Sequence, residues 1–193
     1  SDRKAIQLNP DFAEAFLNLG NILKDLGNLQ EAELSYRKAI ALNPNLAIAH
    51  STLGGMLIDL GKVEEAELST RKAIALNPNL ANSHFNLGTI LIELGKLQEA
   101  KFSYKKVIKI NPNLDIGHRG LSIYYYLDGN LDLAINSIFK AYSLNPKDLT
   151  NKVLLNIFKG ANNRKEKNEQ TNYKISLLQE KILDSNPLIL NRP

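Results

Sequence analysis

The sequence predicts an all-α solenoid of stacked antiparallel helix pairs. Three observations carry that reading. Prolines stand at Pro10, Pro44, Pro78, Pro112 and Pro146, each 34 residues from the next. Glycines at Gly27, Gly61, Gly95 and Gly129, and alanines at Ala32, Ala66, Ala100 and Ala134, keep the same period without one insertion. Within each period the apolar residues recur at helical rather than strand spacing. An unbroken short period of this kind marks a repeat architecture, whose units bury their apolar faces against their neighbours.

The elements follow in order. Residues 1–12 supply only a second helix, so the chain is expected to be a piece of a longer array. In the first full unit, 13–46, Phe16, Leu19, Leu23 and Leu26 share one helix face. Gly27 can adopt φ > 0 and is expected to end that helix. Ala32, Tyr36, Ala39 and Ile40 then form the stripe of a second helix, with Gly20 and Ala32 allowing the two axes to approach closely. Pro44 cannot continue the second helix, and Asn45 is the expected N-cap of the next one. The stretch "RKAIALNPNLA" at 37–47 recurs letter for letter at 71–81. Units 47–80, 81–114 and 115–148 repeat the pattern. In 149–193, residues 149–161 and 171–184 read as a degenerate fifth helix pair. Polar "NNRKEKNEQ" joins them, the pair is expected to cap the array, and an apolar extension follows.

Composition excludes several classes of function. There is no Cys, so neither a disulfide framework nor thiolate chemistry arises. No apolar run approaches the roughly 18–20 residues that span a bilayer, and a soluble, cytoplasmic protein without membrane partners is expected. The net charge of +4 is unevenly placed: residues 1–148 carry 16 basic and 16 acidic side chains, so 149–193 supply all of it. A neutral repeat body argues against a nucleic-acid footprint.

His50, His84 and His118, also 34 apart, invite a metal reading. Equivalent positions in stacked repeats lie roughly 8–10 Å apart, whereas zinc needs ligand nitrogens at about 2 Å, so the three are read as packed between helices. Arg37-Lys38, Arg71-Lys72 and Lys105-Lys106 are read as a solvated face, since Glu33 and Glu67 stand four residues before the arginines; only Lys101 breaks that pattern. No nucleophile elbow, P-loop, dinucleotide fingerprint or H-E-x-x-H occurs. No catalytic residue, metal ligand or cofactor is therefore assigned, and the expectation is a protein that is not an enzyme.

The series Leu19-Gly20, Leu23, Gly27, Ala32, Tyr36, Ala39, Pro44 resembles the tetratricopeptide repeat (TPR). It recurs with Thr70 for the aromatic, then with Tyr104 and Val107, and last with Ser122 and Ile138. "NLGNILKDLGNLQEAELSYRKAIALNP" is similar to the TPR arms of O-linked N-acetylglucosamine transferases and bacterial TPR proteins. The resemblance implies a TPR solenoid forming an open right-handed superhelical arc, with the first helix of each pair lining a concave groove. That face reads Glu14, Asn18, Asn21, Asp25 in the first unit and Ile48, Thr52, Gly55, Asp59 in the second. The third gives Asn82, Asn86, Thr89, Glu93, with Phe85 nearby. The fourth turns apolar with Ile116, Gly120, Ile123 and Leu127, flanked by Arg119 and Tyr126.

The resemblance to transferase-type arms implies asparagines in successive repeats that hold a peptide backbone, since a side-chain amide both donates and accepts; Asn18 and Asn86 fall in those slots, and Asn21 is a further candidate. Thr52 and Gly120 interrupt that asparagine series. Phe85, Ile123 and Tyr126 are candidate anchors for an apolar side chain. Glu14, Asp25, Asp59 and Glu93 favour a neutral or basic extended segment, and the groove offers almost no cations to grip a C-terminal carboxylate as chaperone-binding TPR domains do. Binding a partner protein or peptide in the groove is thus the expected function. One alternative is a substrate-recognition arm of a larger enzyme such as a glycosyltransferase; another is RNA binding through the Arg/Lys pairs and basic tail. Exposed repeat ends would also allow self-association.

Overall fold

The computed structural model describes residues 12–165 of the chain, as nine α-helices. They are α1 (Ala13–Asp25), α2 (Leu29–Leu42), α3 (Ala47–Asp59), α4 (Val63–Leu76), α5 (Ala81–Glu93), α6 (Leu97–Ile110), α7 (Asp115–Leu127), α8 (Leu131–Leu144) and α9 (Leu149–Lys165). The described residues divide into two compact units, with the boundary between residues 86 and 87, inside α5. In the first unit α1 packs on α2, α2 on α3 and α3 on α4; in the second α6 packs on α7, α7 on α8 and α8 on α9.

Each first helix ends through its glycine. Gly27 has φ 79°, its N–H donates to Lys24 O (2.9 Å), and Asn28 N–H reaches back to Leu23 O (2.8 Å). That pair of bonds is the Schellman closure, and it recurs at Gly61, Gly95 and Gly129. The joint between pairs differs from the sequence expectation. Asn45 does not cap α3; Leu46 holds the N-cap position, with no side-chain cap bond. Asn43 is the working asparagine: its Oδ1 accepts from Asn45 N–H (3.1 Å), and Asn77 and Asn111 repeat the turn. The short amide reaches its own backbone two residues on and so competes with helix continuation.

Packing turns on a ring set against a glycine. A Cβ on Gly20 would lie 2.5 Å from Tyr36 Cε1, against the 3.5–4.0 Å or so of ordinary carbon contacts. Tyr36 is fully buried as a result. In the second unit Gly88 and Gly120 both back onto the ring of buried Tyr104. Where the ring is absent the partner changes: Ile138 replaces the aromatic on α8, and Ser122 replaces glycine on α7 with its hydroxyl donating to Arg119 O (2.7 Å). Gly54 remains because Thr70 Oγ1 and Thr70 N stand where its Cβ would be.

Three expectations shift. Ala32 is buried as predicted, but what Gly20 admits is the Tyr36 ring. On α1, Leu23 is in the core, whereas Leu26 follows the helix and is 69% exposed; Leu17 is buried instead. The last helix runs to Lys165, past the predicted end at 161, because nothing in Asn162–Lys165 forces a break. Residues 1–11 and the predicted helix 171–184 lie outside the described residues.

A Gly95→Ala variant is expected to lose about 1 kcal/mol from backbone strain alone, since its Cβ would meet nothing within 4 Å. Gly88→Ala should cost about 1–3 kcal/mol from overpacking and be partly rescued by Tyr104→Leu. Urea unfolding followed by circular dichroism checks both.

Candidate functional site

In the first unit several side chains of the predicted face are engaged in bonds within the chain. Glu14, Asn18 and Asp25 are exposed on α1. Asn21 is exposed too, but its Oδ1 is engaged, accepting from the Tyr36 hydroxyl (2.9 Å). Burial, reinforced by the Asp25 carboxylate, pushes that phenol up to about 12. On α3, Thr52 turns its hydroxyl back to Ile48 O (3.0 Å) and Ala49 O (3.1 Å). Asp59 has a side chain only 11% exposed, with Lys24 Nζ at 3.8 Å. On α5, Asn82 is exposed and Phe85 half-buried. Asn86 is half-buried and donates through Nδ2 to Ser51 O (3.1 Å). Gly55 leaves room for it, since a Cβ there would stand 3.0 Å from Asn86 Nδ2. Ile22 and Ile48 remain 46% and 50% exposed.

In the second unit Glu93 is half-buried, near the buried Tyr104 phenol. Burial raises that phenol far above its usual value, against an opposing hydrogen bond with Thr89. Arg119 is held in a polar cluster. Its Nη1 lies 2.7 Å from Asp148 Oδ2 and 3.7 Å from Asp115 Oδ2, and fully buried Asn151 donates to Asp115 Oδ2 (2.7 Å). Burial pushes the Asp148 carboxyl up, but Arg119 and the N–H groups of Asn151 and Thr150 outweigh it and hold it below the ordinary value. Two of the three expected anchors pack against the chain itself: Tyr126 is 8% exposed and stacks on Phe158 of α9 at 4.8 Å, and Ile123 packs on the same cluster.

The Asn21 column now has a physical reading. Positions 21, 55, 89 and 123 hold Asn, Gly, Thr and Ile; positions 36, 70, 104 and 138 on the paired helices hold Tyr, Thr, Tyr and Ile. A hydrogen-bonding side chain stands where the partner is tyrosine, and none where it is not. The Asn18 column loses its asparagine at Gly120 because the Tyr104 ring fills the space of the side chain.

The Arg119 cluster was missed from sequence, although its signal was there. Asp148 stands where Leu46, Leu80 and Leu114 stand in earlier units, and Asn151 where Ala49, Ser83 and Gly117 stand.

Other faces show scaffolding. His50 Nε2 donates to Pro44 O (3.0 Å) and His84 Nε2 to Pro78 O (2.9 Å), tying each first helix to the turn before it. Arg37 pairs with Glu33 (2.8 Å) and bridges to Glu65 (2.5 Å), while Lys62 also reaches Glu33 (2.9 Å). Arg71 pairs with Glu67 (2.7 Å). Lys101, the exception in that series, sits 5.0 Å above the Tyr124 ring, a cation–π contact.

Family models described as "Tetratricopeptide repeat" match residues 13–46, 47–80 and 81–114, more than half of the 193. The chain belongs to the tetratricopeptide-repeat family. Among solved structures it is similar to MamA, at 27% identity and TM-score 0.64, over 76% of this chain and 85% of that one. It also resembles TTC0263, a TPR protein of Thermus thermophilus (24% identity, TM-score 0.71, 81% and 86% covered). YrrB, described as a TPR protein with an unusual peptide-binding site, gives 21% identity and TM-score 0.63, with 97% and 93% covered. The last two likenesses are of fold. No curated protein sequence matches the chain. The TPR fold is that of a protein–protein interaction scaffold, and TPR proteins are generally not enzymes. No helix among the described residues is long and apolar enough to cross a membrane.

The raised Tyr36 phenol makes stability depend on alkaline pH. The unfolded chain loses that proton near pH 10 while the folded chain keeps it to about 12. Its contribution is therefore complete below pH 10 and lost as pH rises toward 12, at up to about 1.4 kcal/mol per pH unit. Urea midpoints measured from pH 9 to 11 should fall less steeply in Tyr36→Phe than in the parent.

Proposed function

We propose that the chain holds an extended segment of a partner protein along the first-helix faces of its first unit. The observation that carries this is the exposure of Asn18 and Asn82, while Asn21 and Thr52 are spent on internal bonds. An exposed amide offers a peptide backbone both a donor and an acceptor, and Asn86 retains its acceptor oxygen. Ile22 and Ile48 provide apolar contact beside them. Glu14 and Asp25 are exposed and acidic, which favours a neutral or basic segment. Because the repeat-four pair Ile123 and Tyr126 packs against α9, apolar anchoring is assigned to Ile22 and Ile48.

Selection of displayed peptides against the chain should enrich neutral or lysine- and arginine-bearing sequences. Their affinity, measured by calorimetry, should fall about tenfold or more in an Asn18→Ala/Asn82→Ala double variant, the loss expected for two hydrogen bonds. Affinity unchanged by both substitutions, or enrichment of acidic sequences that depend on these residues, would overturn the proposal.

A further inference from the structure

A second surface lies on the other side of the first unit, away from the asparagines. The cleft between α2 and α4 has a volume of about 480 Å³. Its floor is α3, through Leu53 and Leu57, 4% and 1% exposed. Its walls are Ile40 of α2 and Leu68 of α4, and Leu68 is 75% exposed at the edge of this apolar space. A volume of this size falls within the roughly 300–1,000 Å³ of ligand clefts and admits one or two apolar side chains.

Most polar groups lining the cleft are already satisfied. Arg37 bridges to Glu65 across it (2.5 Å), Ser69 Oγ donates to His50 O (3.1 Å), and His50 Nε2 donates to Pro44 O (3.0 Å). Lys72 is the exception. Its side chain is exposed, lines the cleft, and forms no ion pair among the described residues. It stands four residues after Leu68 on α4, so the two share one helix face, and about 10 Å along the axis from Glu65. The charge left uncompensated is thus positive and adjacent to the exposed leucine.

We infer that this cleft docks an acidic segment of a partner protein, seating a leucine-sized side chain between Ile40 and Leu68 with a neighbouring carboxylate on Lys72. The inference is independent of the asparagine face, which selects the opposite charge. The chain thereby carries two binding surfaces of opposite charge preference on one unit.

The test is an amide chemical-shift titration of the nitrogen-labelled chain with capped heptapeptides of Ser and Gly around a central Leu-Glu, Leu-Lys or Ala-Glu. The Leu-Glu peptide should shift Ala41, Leu68, Ser69 and Lys72 in preference to Asn18 and Asn82, and the other two peptides should bind more weakly. Lys72→Glu should weaken Leu-Glu binding by about threefold or more and restore binding of Leu-Lys; Leu68→Ser should weaken both. Both positions are exposed, so folding is preserved. No shifts at these amides up to about 5 mM Leu-Glu peptide would overturn the inference, as would equal binding of Leu-Glu and Leu-Lys. Concentration-dependent broadening of the same amides without peptide would also overturn it, assigning the cleft to a second copy of the chain.

Discussion

A tyrosine ring lying directly on a glycine Cα is the contact on which the first and third repeats depend. Glycine inside a helix costs roughly 0.5–1 kcal/mol. Burying an aromatic of roughly 150–250 Å² contributes about 4–6 kcal/mol by area, an upper bound. The exchange favours the ring wherever it is present. Tyr36 against Gly20, and Tyr104 between Gly88 and Gly120, are this contact made once and then twice. Where Ile138 takes over, the glycine is no longer needed and Ser122 appears.

That contact reaches the surface. A buried phenol needs a partner for its hydroxyl, and the nearest polar position lies on the first-helix face. Asn21 and Thr89 serve Tyr36 and Tyr104 there. Side chains that vary between repeats on an exposed face would ordinarily be read as specificity. At positions 21, 55, 89 and 123 the variation follows the core partner instead. Subtracting such residues leaves Asn18 and Asn82 as amides still turned outward in the first unit.

The fold was legible because period, glycines and prolines all state the same backbone geometry. Gly27 and its counterparts require positive φ, and no tertiary contact competes with that demand. The joint was less legible: Asn43 and Asn45 are equally good capping residues, and only backbone geometry decides which one bonds. Single-residue burial on and just after α1 also depended on the neighbour, since Leu17 and Leu26 have the same intrinsic hydrophobicity. The face could be placed from sequence, but not the occupancy of its hydrogen bonds. Thr52 bonds its own helix, Asn86 bonds Ser51 O, and Tyr126 finds Phe158, a residue 32 positions later. Asp148, at a leucine position, and Asn151, at a small-residue position, were the readable signs of the Arg119 cluster.

Asn21 belongs energetically to Tyr36. A double-mutant cycle on Asn21→Ala and Tyr36→Phe, read by urea unfolding, tests it directly. A coupling of about 1 kcal/mol is expected, the worth of one hydrogen bond, so that the second substitution costs little once the first is made. Strict additivity of the two single losses would contradict it and return Asn21 to the set of free binding residues.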